Sequence, residues 1–588
     1  MSVGATLKSF LGIYRFFRPD QSRLVIVFVL MLLGTGLFLL KPWPIAFVVD
    51  SILGTEPLPG WLQFEADPEG RIALIVCVAL TFAIHLAVAA LTACHSRVAI
   101  SIGLNGLQRV RSVVFEQLQR LPLSFLREHR HGDLIQRVAW DTCSFQTMFQ
   151  HGLITGVTAG LSLILMIVVM AQLNIALTLV SLASLPFMLL AIKLFGKQMA
   201  AHSAEAQEAD SQLASLAQQN VAAATLIRTF NREDTETESF AAQAESARKK
   251  RFSQHARELA YLAVLGVVFG GGVAAILWMG AQQVLAGNAT VGELIVFLTY
   301  LAQFYEPLNQ LSNIGSTLSA ASAGVNRVNE ILEATTPPRG GDPAPSLASD
   351  IEFAATSFGF APDKPVILKL DLKILAGETV ALVGPSGAGK STLLSLIQRF
   401  NEPTHGEILI SGKSISSVDP IALRGRISSA PQEPVLLPGS IAHNIALGKP
   451  EASQNEIESA ARAARSHGFI SRLAQGYQTT VGDGSARLSV GESQRINLAR
   501  LFLRESDLLL LDEPTSALDA ENEAAVAESL AVLGQGKTCI FVTHRPAMLK
   551  FAKRVIVMEA GRIVADGAAE AVAEQSDFFR LLTNPAAQ

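Results

Sequence analysis

Cysteine is scarce in this chain: Cys77, Cys94, Cys143 and Cys539 are scattered through 588 residues, and no two stand at a metal-ligand or CxxC spacing. No spacing among them points to a thiolate metal site or a dithiol redox centre. Their scatter calls for no disulfide, so a reducing cytosol suits the soluble part, and burial in a core is the ordinary fate of each thiol. Charge is scarce too. Asp, Glu, Lys and Arg make up 17% of the residues and sum to a net −4, so no basic field recommends nucleic acid as a partner. The first twenty residues lack the apolar stretch and small-residue cleavage site of a secretory signal, and they lack the acid-poor, Arg-rich run of a mitochondrial leader. Instead Leu7, Phe10, Leu11, Tyr14 and Phe17 recur at helical spacing among Lys8, Arg15 and Arg18. This predicts an amphipathic helix over 1–20 that lies on a membrane surface.

What is abundant is apolar sequence. Hydrophobic residues are 49% of the chain, mean hydropathy is +0.35, and the excess sits in the first half. Six runs reach the ~20 residues that cover ~30 Å of hydrocarbon, near 24–49, 72–94, 149–171, 174–196, 259–286 and 293–317. Residues 21–333 are therefore expected to form a six-span helical membrane domain. The connection at 51–70 carries Glu56, Glu65, Asp67 and Glu69 and no Lys or Arg. The stretches after the second and fourth runs are long and basic, with Arg97, Arg109, Arg111, Arg120, Arg127, Arg130 and Arg137 in one and Arg228, Arg232, Arg248, Lys249, Lys250 and Arg251 in the other. The positive-inside bias places both stretches and both termini in the cytoplasm, with the spans in the plasma membrane. Apolar periodicity continues past the membrane boundary, as in Leu104, Leu107, Val110, Val114, Leu118 and Leu121, which predicts spanning helices that run on as long rods.

A short cross-helix is expected at the tip of each rod pair, near 123–126 and 229–233, with a plain helix hairpin as the alternative. Within the runs the costly polar or amphipathic residues are His85, Gln150, His151, Trp278, Gln282, Gln283, Gln303, Tyr305, Glu306 and Asn309. Each reads either as a packing or interfacial anchor or as a cargo contact. Glu306-Pro307 predicts a local helix irregularity. Residues 334–349, with Pro337, Pro338, Gly340, Gly341 and Pro343, cannot continue a helix and read as a linker.

From 350 to 588 short β-rich runs alternate with helical segments, which implies an α/β domain. Its central motif is Gly384-Pro385-Ser386-Gly387-Ala388-Gly389-Lys390-Ser391, set between the apolar run Val380-Ala381-Leu382-Val383 and the helical run from Thr392 to Ile397. Strand, glycine-rich loop and helix in that order make a P-loop in its required context. Main-chain N–H groups close around the β- and γ-phosphates, the helix dipole points at them, Lys390 adds a cation, and Ser391 is placed for Mg²⁺. Farther on, the apolar run Leu508-Leu509-Leu510-Leu511 ends in Asp512-Glu513. Asp512 suits Mg²⁺ through water, and Glu513 suits a general base for the attacking water.

The order of motifs then resembles the ABC transporter ATPases. Leu488-Ser489-Val490-Gly491-Glu492-Ser493-Gln494-Arg495 is similar to that family's signature. Phe360, Gln432 in Ala430-Pro431-Gln432-Glu433, Asp512-Glu513-Pro514, Ser516-Ala517-Leu518-Asp519 and His544 after Cys539-Ile540-Phe541-Val542 fall where the family has its other motifs. With the preceding six runs, the whole chain resembles an exporter-type half-transporter of the bacterial lipid flippase and multidrug class. The implied fold is an all-α six-helix membrane domain followed by an α/β P-loop ATPase domain, as in type IV exporters.

The resemblance implies ATP and Mg²⁺ as cofactors. Phe360 would stack on adenine, with 384–391 and Thr392 cradling phosphate; Ser391, Gln432 and Asp512 would serve Mg²⁺. Lys390, Gln432, Glu513 and His544 would be the catalytic set, and Asp519 would join the two sites of a dimer. Ser489, Gly491 and Glu492 would reach the ATP of a second subunit, and 436–441 would receive the cross-helices. Two departures stand out: Phe360 replaces the commoner tyrosine, and Val490, whose branched Cβ restricts the backbone, replaces glycine. A homodimer is expected because every essential position is present in this chain, with a heterodimer open on account of Val490. The implied activity is ATP-driven export of a lipid, lipid-linked or amphipathic compound by alternating access, with membrane lipids as neighbours. An ATP-gated channel is the alternative.

Overall fold

The structure is a computed structural model and describes residues 12–54, 56–57, 59–62, 71–337, 340–361, 364–482 and 488–583. Leu7, Lys8, Phe10 and Leu11, the acidic residues Glu65, Asp67 and Glu69, and Pro338 lie outside them. The described chain forms two compact units. One runs up to Gln119 and resumes over His131–Ala334; the other is Thr335–Gln588 together with Arg120–Arg130.

The first unit is helical. Its elements are α1 (Gln21–Leu39) and α2 (Arg71–Arg120); after the short α3 (Leu123–Glu128), which belongs to the other unit, come α4 (Gly156–Leu173), α5 (Ile175–Ala222), α6 (Ala224–Thr229), α7 (Glu233–Leu285) and α8 (Val291–Glu333). The six-residue helix α3 covers the first expected cross-helix; the second short helix, α6, ends at Thr229 and so precedes the expected 229–233, whose residues 230–232 form the turn into α7. The rods are there as well. At 50, 48 and 53 residues, α2, α5 and α7 extend roughly 75 Å at 1.5 Å per residue, more than twice the hydrocarbon thickness.

Among the described residues, five helices are long and apolar enough to cross a membrane: Gly12–Ile52, Arg71–Arg120, His131–Leu173, Ile175–Ala222 and Glu233–Leu285. The sixth expected run lies on α8, a continuous 43-residue helix whose Gln303, Glu306, Asn309 and Gln310 make it more polar. α8 contains Pro307 without interruption, so the expected irregularity at Glu306-Pro307 does not form.

Half-buried polar contacts and buried apolar ones fix the helix ends. Thr290 caps α8 in a capping box with Glu293. The Asp50 carboxylate accepts from Thr290 Oγ1 and from the Gly292 N–H, both at 2.6 Å, placing an anion at the positive end of the helix. Near the chain start, Phe17 is buried and stacks on Phe149 at 4.3 Å. Phe17 was expected on a lipid-facing stripe, and the structure turns it inward because Gly106 of α2 leaves room for its ring: a Cβ there would sit 2.1 Å from Phe17 Cε1.

The second unit is α/β. A mostly parallel six-stranded sheet has the order β12-β11-β3-β10-β9-β6, with β3 at Thr379–Val383, β6 at Ile427–Ala430, β9 at Leu508–Asp512, β10 at Thr538–Val542, β11 at Arg554–Glu559 and β12 at Arg562–Gly567. A second, antiparallel sheet pairs β1 (Ile351–Ala361) with β2 (Lys364–Ile374) and β4 (His405–Ile410), and β4 with the short β5 (Lys413–Ser414). β3, β9 and β10 are nearly continuous apolar runs because both faces are covered.

Candidate active site

Four strands bring the site together. β3, β10, β9 and β6 are adjacent and parallel, with Leu382 opposite Val542, Val542 opposite Asp512, and Leu511 opposite Ala430. Their carboxyl ends therefore lie level, and each opens into one expected site segment: 384–391 after β3, His544 after β10, Glu513 after β9 and Gln432 after β6. At ~4.8 Å between strands, the row spans roughly 14 Å, and ligands of open α/β sheets bind outside such carboxyl ends.

The phosphate loop starts at Gly384, whose φ of +147° and whose approach to β11 admit no side chain, since a Cβ would lie 2.0 Å from the Met558 carbonyl oxygen. The loop ends in α9 (Lys390–Ile397), whose first turn has no side-chain cap, so its N–H groups are left for an anion. Lys390 is buried, and its Nζ donates to the Gly384 carbonyl at 2.7 Å and the Pro385 carbonyl at 2.9 Å. Its ammonium thus rests on its own loop. Burial holds the Lys390 pKa below the ordinary lysine value, against the pull of Glu513 and Asp512.

Asp512 ends β9. Burial raises its carboxyl pKa, a hydrogen bond donated by the Ser391 hydroxyl lowers it, Glu513 raises it further and Lys390 opposes. Hydroxyl, carboxylate and the Gln432 side-chain amide are hard oxygen donors that suit Mg²⁺ with its retained waters. Among the described residues no group of three His, Cys, Asp or Glu is gathered for a softer metal. Glu513 follows in a left-handed conformation, φ +47°, which costs a non-glycine residue energy and is held by neighbours. Its N–H donates to Val542 O at 3.0 Å, and its carboxylate lies 3.6 Å from His544 Nε2. Burial and Lys390 lower the His544 pKa, with Glu513 opposing. Perturbed titrating groups at one sheet edge are a mark of a functional site.

The remaining expected residues differ in how far the structure brings them to that edge. Gln432 is exposed on the loop after β6. Phe360, 52% exposed, is on β1 of the other sheet, two residues past Phe358, whose partner Ile367 packs on the phosphate loop at Gly389. Ser489, Glu492 and Asp519 make their side-chain hydrogen bonds within their own helix ends. Ser489 and Glu492 form the capping box of α10 (Val490–Leu503), and Asp519 caps α11 (Ala520–Leu533), where Asn522 lowers its pKa. Val490 is the first residue of α10, outside the left-handed region and 64% exposed, so its branched Cβ leaves the cap intact. Gly491 is the constrained position, because a Cβ would sit 2.9 Å from Ala517 O.

Gln494 had no assigned role in the sequence reading. Only 2% exposed, it donates to Glu513 O at 3.1 Å and accepts from Ala517 N at 3.0 Å. The signal was a polar residue on the inward face of a helix, where it needs partners.

The chain matches the family "ABC transporter transmembrane region" over residues 24–308 and the family "ABC transporter" over 367–516. It is 34% identical over 487 residues to an ATP-dependent lipid A-core flippase of Syntrophus aciditrophicus (strain SB), covering 82% of this chain and 80% of that one. It is 32% identical over 536 residues to a fatty acid ABC transporter ATP-binding/permease protein of Mycobacterium bovis, covering 90% and 84%. Among solved structures, a bacterial Atm1-family ABC exporter with ATP bound superposes with a TM-score of 0.82 at 24% identity, covering 97% of this chain and 99% of that one.

Proposed function

This chain belongs to the ABC transporter family and is an ATP-driven exporter with membrane and ATPase parts on one polypeptide, and from that premise we propose that it moves a lipid, lipid-linked or amphipathic compound out of the cytoplasm or inner leaflet as a homodimer. The observation that carries the reading is the level row of carboxyl ends, beside which Lys390, Asp512, Glu513 and His544 lie in a chain whose other half is long apolar helices. Two lipid-related relatives favour that cargo class. The scarcity of charge in the apolar helices favours it too.

In this reading the first-turn N–H groups of α9 and Lys390 bind the triphosphate; Lys390 exchanges its two loop carbonyls for phosphate oxygens. Ser391, Asp512 and Gln432 would hold Mg²⁺, which would neutralise charge on the phosphates. Glu513 takes the proton of the attacking water, and His544, kept neutral, holds the imidazole face of the site next to it. The local capping of Ser489 and Glu492 leaves the Val490–Gly491 end of α10 turned out for the nucleotide of a second copy, and Asp519 stands beside the joint. ATP then favours the closed pair, hydrolysis reopens it, and the difference in affinity between the two states is the driving energy. Both termini and the ATPase face the cytoplasm by the distribution of Arg and Lys.

The test uses the full chain in nanodiscs. Glu513→Gln should bind ATP and trap a dimer while turnover falls by at least about 100-fold, the usual worth of a general base. Wild-type ATPase should be stimulated by part of a panel of lipids and amphipaths, and the stimulating compounds should translocate in vesicles only with Glu513 intact. A flat response to the whole panel overturns the cargo class; unaltered turnover in Glu513→Gln overturns the base.

A further inference from the structure

Phe360 presents an exposed ring. Phe358 stands near-perpendicular to it, with ring centroids 5.0 Å apart at 84°, and Phe360 is 52% exposed. Over the ring lies the guanidinium of Arg127, with Cζ 6.0 Å from the centroid. Arg127 is on α3, in the same compact unit as β1. Among the described residues its guanidinium has no hydrogen bond or ion pair, so the aromatic ring is the contact that orients it. A planar guanidinium stacks on π-faces in a way that an ammonium does not.

The spacing is informative. A flat base held on both faces needs two van der Waals contacts of about 3.5 Å, or roughly 7 Å between the flanking groups. The 6.0 Å present falls short of that by about 1 Å, a movement that an exposed arginine makes by a small change in its torsions. We propose that Arg127 and Phe360 are the two jaws of one clamp for the adenine base, and that Arg127 is a nucleotide-binding residue supplied by the cross-helix. The proposal rests on reading Phe360 as the adenine contact. Its consequence is that the nucleotide base is gripped by a segment that follows α2 after only Leu121 and Pro122 in the chain. Nothing in the ATPase motifs points to it, because Arg127 is more than two hundred residues from Phe360 in sequence.

The experiment compares ATP with inorganic tripolyphosphate, which has the phosphates and no base, on full-length protein in nanodiscs in the Glu513→Gln background. Arg127→Ala should weaken ATP binding by about 2- to 5-fold, the range of an exposed cation–π contact, and leave tripolyphosphate binding unchanged. Arg127→Lys should recover part of the loss. Phe360→Ala should also weaken ATP selectively, and adding Arg127→Ala to it should cost nothing more. If Arg127→Ala does not fold, Arg127→Gln, which is planar and uncharged, serves with the same expectation. Wild-type ATP affinity in the Arg127 variants, with Phe360→Ala impaired, overturns the clamp and leaves the Phe360 reading standing. Equal loss of ATP and tripolyphosphate reduces Arg127 to a structural part and also overturns it. Wild-type affinity in Phe360→Ala overturns both.

Discussion

Gln494 grips Glu513 by its backbone: the side-chain amide of one donates to the carbonyl of the other at 3.1 Å, while its own oxygen accepts from Ala517 N at 3.0 Å. One buried side chain thus ties the signature helix to the left-handed residue that carries the expected base. The orientation of that carboxylate depends on the tie, because φ +47° is not a conformation glutamate keeps unaided.

Gln494→Ala should therefore damage turnover more than binding. It leaves a buried carbonyl and a buried N–H unpaired, at about 1–3 kcal/mol each if nothing relaxes, and lets Glu513 leave its position. Steady-state ATPase assays should show kcat reduced by about 10-fold or more, since each 1.4 kcal/mol is a factor of ten, with the KM for ATP less affected. A kcat equal to wild type in a folded variant would remove the positioning role.

Gly106→Ala should destabilise the membrane unit. Its Cβ would press into the Phe17 ring at 2.1 Å, and Phe17 is held from its other side by Phe149. Overpacking of this kind costs about 1–3 kcal/mol. Thermal unfolding in detergent should begin lower in Gly106→Ala, and Phe17→Ala in the same chain should relieve the clash, so that the two changes together cost less than their sum. Additive losses would show that the contact is absent in solution.

Cys539 should resist thiol reagents in the native protein. It sits on β10 between two paired strands, 5% exposed, and burial pushes its thiol up to about 12. The neutral form is favoured on folding, so the stability this group contributes is complete below its ordinary value of 9.0 and is lost as pH rises from there toward 12. Peptide mapping after maleimide treatment at neutral pH should find Cys539 unmodified until denaturant is added. Modification at the same rate with and without denaturant would contradict its burial.

Local pattern alone was enough for the phosphate loop, the carboxylates at the end of the Leu508–Asp512 strand, the long rods and the short helix α3. Each is written in consecutive residues: a fixed glycine spacing, an apolar run of a given length, a helical period broken and resumed. Tertiary structure alone decided which strands are neighbours, and so why Lys390, Glu513 and His544, far apart in the chain, end level with one another. It also decided that Phe17 faces Gly106 rather than lipid, that α8 passes through Pro307 unbroken, and that Asp50 caps a helix 240 positions away. Such contacts join single residues across long stretches of chain. A lone pairing has no period, and its strength comes from the burial and exclusion of water that only the folded neighbours provide.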